Sequence, residues 1–96
     1  MARALQLTVV TTGGQTLAEE AVSVRAPGQR GDVGILYNHA PLVSVLRPGT
    51  LTWRAPDGAR QVARIGAGLL EVARNRVTIL TDTMEAARAA VPEARV

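Results

Sequence analysis

Ninety-six residues provide for one domain and leave no room for a second; a chain of this size buries somewhat over ~60% of its unfolded surface, enough for one modest core. Hydrophobic residues make up 47% but aromatic ones only 2%, so the core has to be assembled from Val, Leu, Ile and Ala around the single Trp53, which suits a thin sandwich better than a deep substrate pocket. The absence of cysteine excludes disulfides, thiolate catalysis and sulfur-ligated metals, while a net charge of +3 raises the question of an acidic partner.

Leu5, Leu7 and Val9 alternate with Gln6 and Thr8, the period of a strand with one buried face. The alternation also denies this end the continuous apolar stretch of ~7–15 residues that a secretory signal needs. No stretch in the chain approaches the ~20 apolar residues of a membrane helix, so no direct membrane insertion is expected. Thr12-Gly13-Gly14-Gln15 supplies a turn, after which Leu17 and the Val22/Val24 pair resume the alternation, giving a first hairpin or two adjacent strands.

Ala26-Pro27-Gly28-Gln29-Arg30-Gly31-Asp32 is dense in turn formers and reads as an exposed loop. Strands over 33–37 and 42–46 flank a polar corner that carries the only histidine, His39, and closes with Pro41. Arg47-Pro48-Gly49-Thr50 has proline and then glycine at the two central positions of a type II turn. Leu51 and Trp53 alternate with Thr52 and Arg54 in the next strand, and Pro56-Asp57-Gly58 turns the chain again. Strands over 62–65, 69–72 and 77–80 follow, with Arg74-Asn75-Arg76 as a tight turn in which Asn75 adopts the left-handed conformation.

Short strands with turn signals every ~8–12 residues predict an all-β fold, a flattened antiparallel sandwich or barrel of about ten short strands. No inter-strand segment is long enough for a crossover helix. Only Thr83 to Ala90 has helical character, with Thr83 as N-cap and Pro92 as its limit. The expected organisation is a β-sandwich domain over 1–82 and a short helical tail over 83–96.

Candidate chemistry is sparse. All eleven basic residues are arginines, spread from Arg3 to Arg95 with no run, and Tyr37 and Trp53 offer no stacking ladder, so no nucleic acid is expected as a partner. His39 could titrate near neutrality, but Asp32 alone supplies neither the nucleophile nor the further ligands that catalysis or metal binding requires. Its plain reading is a hydrogen-bonded loop residue; its functional one is contact with a partner. Glu19-Glu20 is an acidic pair, yet neighbours on a strand point to opposite faces, which speaks against paired catalytic carboxylates. Gly66-Ala67-Gly68 runs into a strand and not a helix, so backbone crowding accounts for its glycines better than a phosphate cradle.

The run Gly31-Asp32-Val33-Gly34-Ile35-Leu36-Tyr37-Asn38-His39-Ala40-Pro41-Leu42-Val43 resembles the N-terminal β domain of the epsilon subunit of rotary F-type ATP synthases. Gly66-Ala67-Gly68-Leu69-Leu70-Glu71-Val72 and Val77-Thr78-Ile79-Leu80-Thr81-Asp82 fit the same family in order and spacing. Tyr37-Asn38 stand where that family usually shows Pro-Gly, and Ala67 where a first glycine is usual. The resemblance implies a non-catalytic rotor component without cofactor, metal or nucleotide site, which links the gamma subunit to the ring of membrane c subunits in proton- or sodium-driven ATP synthesis. Through that stalk it would touch the catalytic alpha/beta head only indirectly. It implies that Gly31, Asp32, Tyr37, Asn38, His39, Ala40 and Pro41 form one c-ring/gamma corner at the bottom of the domain, facing the polar loops of the rotor ring, and it implies a peripheral location in the F1 sector at the cytoplasmic face of a bacterial membrane. Family members continue into a regulatory helical hairpin about where this sequence stops, so the resemblance also implies a short form without it. A free-standing β-sandwich module that binds another protein, and a small hydrolase using His39, are the competing readings.

Overall fold

The computed structural model describes residues 3–86, and these form ten strands. They are β1 (Leu5–Thr11), β2 (Thr16–Ala21), β3 (Ser23–Gly28), β4 (Gly31–Leu36), β5 (Leu42–Leu46), β6 (Gly49–Arg54), β7 (Arg60–Ile65), β8 (Gly68–Ala73), β9 (Arg76–Thr81) and β10 (Met84–Ala86). The hydrogen-bonded order is β10-β7-β6-β3-β5-β8-β9-β1-β2, with β4 paired to the remaining side of β3. Two halves of the sheet meet at a single bridge, Gly28↔Leu46 between β3 and β5, and curl over one another to share an interior.

The alternation in sequence becomes the inside and outside of this sandwich. Leu5, Leu7 and Val9 of β1, with Leu70 and Ile79 of β8 and β9, are buried against Val24, Leu51, Ala63 and Ile65 of the other half. Trp53, 4% exposed, fills the width that aliphatic side chains leave open. Each fully buried Leu or Ile contributes about 1.5–3 kcal/mol relative to an exposed one, and a short-stranded sheet depends on that face for its stability.

Four details depart from the sequence reading. The pairing of β1 with β9 is parallel, in register Val9↔Ile79, while every other pair is antiparallel. No crossover helix is needed, because most of the domain lies between these two strands in the chain.

Next, the supposed loop over 26–32 is a hairpin: Ala26, Pro27 and Gly28 belong to β3 and are buried, Gly31 and Asp32 open β4, and only Gln29 and Arg30 turn. Pro27 is tolerated because its carbonyl still accepts from the Arg47 N–H at 2.9 Å and its ring packs inside.

Gly49 is not the left-handed residue of a type II turn either; positive φ among glycines falls at Gly14, Gly31 and Gly58. It opens β6, and a Cβ there would lie 2.9 Å from Cβ of Pro27, so close approach explains the glycine.

Finally, Met84, Glu85 and Ala86, read as the start of a helix capped by Thr83, form β10 against β7. The open edge of β7 gives their backbone groups partners and buries Met84, which outweighs the weak preference of a short alanine-rich helix. The rest of that segment, 87–96, lies outside the described residues.

Candidate functional site

Past Leu36 the chain reverses over Leu36-Tyr37-Asn38-His39, closed by the His39 N–H donating to the Leu36 carbonyl at 3.1 Å, with Asn38 at φ 66°. Positive φ at the third residue is what a type II turn demands, and asparagine tolerates it better than other side chains. Tyr37-Asn38 thus builds the turn that Pro-Gly would build.

A second turn braces this corner. Arg74 at φ 52° and Asn75 at φ 62° form the two-residue connection between β8 and β9, as a primed hairpin turn requires. The Asn38 backbone N–H donates to Asn75 Oδ1 at 2.6 Å, and Asn75 Nδ2 donates to Asn38 Oδ1 at 3.2 Å. The Asn75 carbonyl accepts from the Gln6 N–H at 2.9 Å, and the Arg3 guanidinium lies over the Tyr37 ring at 5.9 Å. Three segments remote in sequence are thereby held as one polar corner.

Within it His39 Nδ1 donates to the Ala40 carbonyl at 2.7 Å, so the imidazole is a hydrogen-bonded loop group, half-buried, with exposed Ala40 and Pro41 beyond it. Among the described residues no cluster of three or more His, Cys, Asp or Glu could hold a metal ion. Nor is any described helix long and apolar enough to cross a membrane.

Gly31 and Asp32 lie elsewhere. They start β4 and the corner follows its end, so five residues of extended chain, about 16 Å, separate Asp32 from Tyr37. Asp32 takes an ion pair from Arg47 at 3.2 Å and a longer one from Arg25 at 3.8 Å, all three side chains being well exposed. Such pairs order side chains more than they stabilise a fold. The seven candidate residues therefore form two groups, one at each end of the strands.

Between those ends runs a surface that the sequence reading missed. Val45, Leu69, Leu80 and Val10 are register partners across β5, β8, β9 and β1, and their side chains point out of the sandwich. Val43 extends the row and is 70% exposed; Val45, Leu69 and Leu80 are each about half exposed. A hollow bounded by Val10, Leu69, Leu80 and Ala67 is almost wholly apolar. The signal was present as doublets, Val9-Val10, Val45-Leu46, Leu69-Leu70 and Ile79-Leu80, in which an outward apolar residue adjoins an inward one and strict alternation fails. A contiguous outward apolar row on a sheet is the mark of a docking face.

Residues 4–87 match the family model for the ATP synthase, Delta/Epsilon chain, beta-sandwich domain. Over 84 residues the chain is 45% identical to an ATP synthase epsilon chain of Anaeromyxobacter sp. (strain Fw109-5), covering 88% of this chain and 63% of that one. Over 85 residues it is 44% identical to an ATP synthase epsilon chain of Desulfitobacterium hafniense, covering 88% and 64%. The chain thus spans somewhat less than two thirds of the length of these relatives. In fold it matches a chain of the Euglena gracilis mitochondrial ATP synthase, solved with OSCP, F1 and c-ring, at a TM-score of 0.81 and 21% identity, over 90% of this chain and 55% of that one. A chain of the Tetrahymena thermophila mitochondrial ATP synthase central stalk and c-ring matches at 0.66 and 17%, over 83% and 64%. With the ten-stranded sandwich, the braced corner and a family match over residues 4–87, the chain belongs to the β-sandwich domain family of ATP synthase delta and epsilon chains.

Proposed function

We propose that this chain serves as the β-sandwich of an epsilon-type subunit in the central stalk of an F-type ATP synthase, a part that transmits torque and performs no chemistry itself. The observation that carries the reading is the outward apolar row Val10–Leu80–Leu69–Val45, extended by Val43. Water-facing rows of this kind are costly unless covered, and we assign the gamma subunit as the cover. Close packing of the sandwich interior suits the task, since a shaft coupling must not compress under load.

The two polar ends would orient the contacts. Asp32 with Arg47 lies at the end nearer the apolar row, where β5 turns into β6, so gamma and ring contacts would form one continuous surface there. We assign that end to the polar loops of the c-subunit ring and the Tyr37–Pro41 corner to gamma. The location that follows is peripheral, on the cytoplasmic face of a bacterial membrane. The names of the relatives and the assemblies in which the structural neighbours were solved support this reading.

The test is reconstitution with gamma and the c-ring. The tagged chain should retain gamma, and L69D/L80D should lower that affinity at least tenfold while His39→Ala lowers it only modestly. A cysteine at Asp32, not at His39, should cross-link to the ring. Retention of gamma by the double variant would defeat the assignment of the face, and capture of an unrelated partner without gamma would favour a free-standing binding module.

A further inference from the structure

Two residues along β8 from Leu69, on the same outward face, stands Glu71. Its register partners are Val43 on β5 and Thr78 on β9, and the row continues through Thr8 to Ala18, so Glu71 is the one charged residue in it. The next row toward the polar corner is Ala73, Arg76, Gln6 and Glu20, in which Glu20 accepts from Gln6 Nε2. Among the described residues Glu71 makes no ion pair and no side-chain hydrogen bond; the ion pairs found there belong to Asp32. Arg76 lies diagonally across the β8–β9 ladder and Arg74 in the turn beyond, bordering one open hollow with Glu71, yet neither guanidinium comes within ion-pair distance of its carboxylate.

Position gives this carboxylate a task. A partner that covers Val43, 70% exposed, and Leu69, about half exposed, also covers the residue opposite the one and two positions along the strand from the other. Water is then stripped from a carboxylate, and an unpaired buried charge costs far more than a lost apolar contact unless a cation replaces that water. The described residues of the chain supply no such cation. A guanidinium fits best, since it offers parallel donors to both oxygens and is more weakly hydrated than an ammonium.

We propose that Glu71 selects the partner and fixes its register on this face, by pairing with a basic side chain that the partner places between its apolar patch and its polar rim. The inference rests on the assignment of the apolar row to gamma, and adds to it the charge that gamma must carry there. The row from Val45 to Val10 is nearly uniform and holds a partner without choosing its alignment. A cation displaced one row toward the corner would meet Arg76, and one displaced the other way would be buried on Leu69 and Leu80, so a single alignment satisfies it.

Binding of the full chain to gamma, followed by surface plasmon resonance from low to high salt, tests this. Glu71→Gln should weaken binding at least tenfold and flatten its salt dependence, and Glu71→Lys should weaken it further. Glu20→Gln, on the outer strand β2, should bind as the parent does, and equal weakening there would overturn the proposal. Glu71→Gln should leave the urea unfolding midpoint unchanged; a fall in it would mean that the carboxylate serves the sandwich itself and would overturn the proposal too. Binding by Glu71→Gln equal to the parent, or weakened with no change in salt dependence, would have the same effect. L69D/L80D keeps the two readings apart: if it retains gamma, the face and the inference both fall, whereas if it loses gamma while Glu71→Gln keeps it, the face stands and the role of Glu71 falls.

Discussion

The indole Nε1–H of Trp53 on β6 donates to Oε1 of Glu19 on β2 at 3.1 Å, a bond between strands of the two halves of the sheet. The adjacent Glu20 points the other way and accepts from Gln6 Nε2 at 3.5 Å, as alternation on a strand requires. The acidic pair thus divides between closing the sandwich and decorating its outside.

Removing the Trp53–Glu19 bond should therefore loosen the closure. Glu19→Ala is expected to cost about 1 kcal/mol and Trp53→Phe about 1–2 kcal/mol, with a coupling of about 1 kcal/mol in a double-mutant cycle read by urea unfolding. A coupling near zero would mean that the bond does not contribute in solution.

At the polar corner, backbone conformation and not side-chain chemistry should dominate. Asn38→Gly keeps positive φ and should change stability by no more than about 0.5 kcal/mol, whereas Asn38→Val should cost about 2 kcal/mol. Thermal unfolding of the two variants checks the order, and a more stable valine variant would refute the turn assignment.

Two glycines should respond oppositely. A Cβ at Gly68 would run into the Leu80 carbonyl and lie 2.8 Å from Thr81 Cα, so Gly68→Ala should cost about 3 kcal/mol by pushing β8 from β9. Gly34 has open space above it and no positive φ, so Gly34→Ala should be neutral or stabilise by about 0.5 kcal/mol. Calorimetry on the pair decides.

The apolar row should matter for association and not for folding. Leu69→Asp and Leu80→Asp are expected to change unfolding free energy by less than about 1 kcal/mol, because these side chains are already half in water. Sedimentation of mixtures with gamma should show weaker association, and strong destabilisation would place these residues in the core instead.

The Asp32 ion pairs should prove nearly silent in stability. Asp32→Asn is expected to shift unfolding by less than about 0.5 kcal/mol at physiological salt, since exposed pairs are screened. Chemical denaturation in low and high salt measures it, and a large salt-dependent loss would show that the pairs hold the β3–β4 hairpin.

Local pattern was enough to place most strands, because a half-buried strand writes its two faces into alternate residues, as Leu5-Gln6-Leu7-Thr8-Val9 does. It was also enough for the Arg74-Asn75 turn, whose conformation depends on the residues themselves. It misread Pro27-Gly28 and Pro48-Gly49 as turn formers. Their meaning is a contact between each other's strands, with the Gly49 backbone against the Pro27 ring, and no window along the chain contains both. It likewise read Met84–Ala86 by propensity, where the open edge of β7, at Ala63, Arg64 and Ile65, decides.

What the sequence alone determined was the all-strand class, the aliphatic core around Trp53 and the polarity of the Tyr37–Pro41 corner. The tertiary structure alone decided which residues share a surface: it parted Asp32 from His39 along one strand, aligned Val45, Leu69, Leu80 and Val10, and set Glu71 beside Val43. Strand periodicity is a property of neighbours in the chain, whereas cross-strand register, set by the curl of the sheet around its core, joins residues tens of positions apart, and surfaces are made of register.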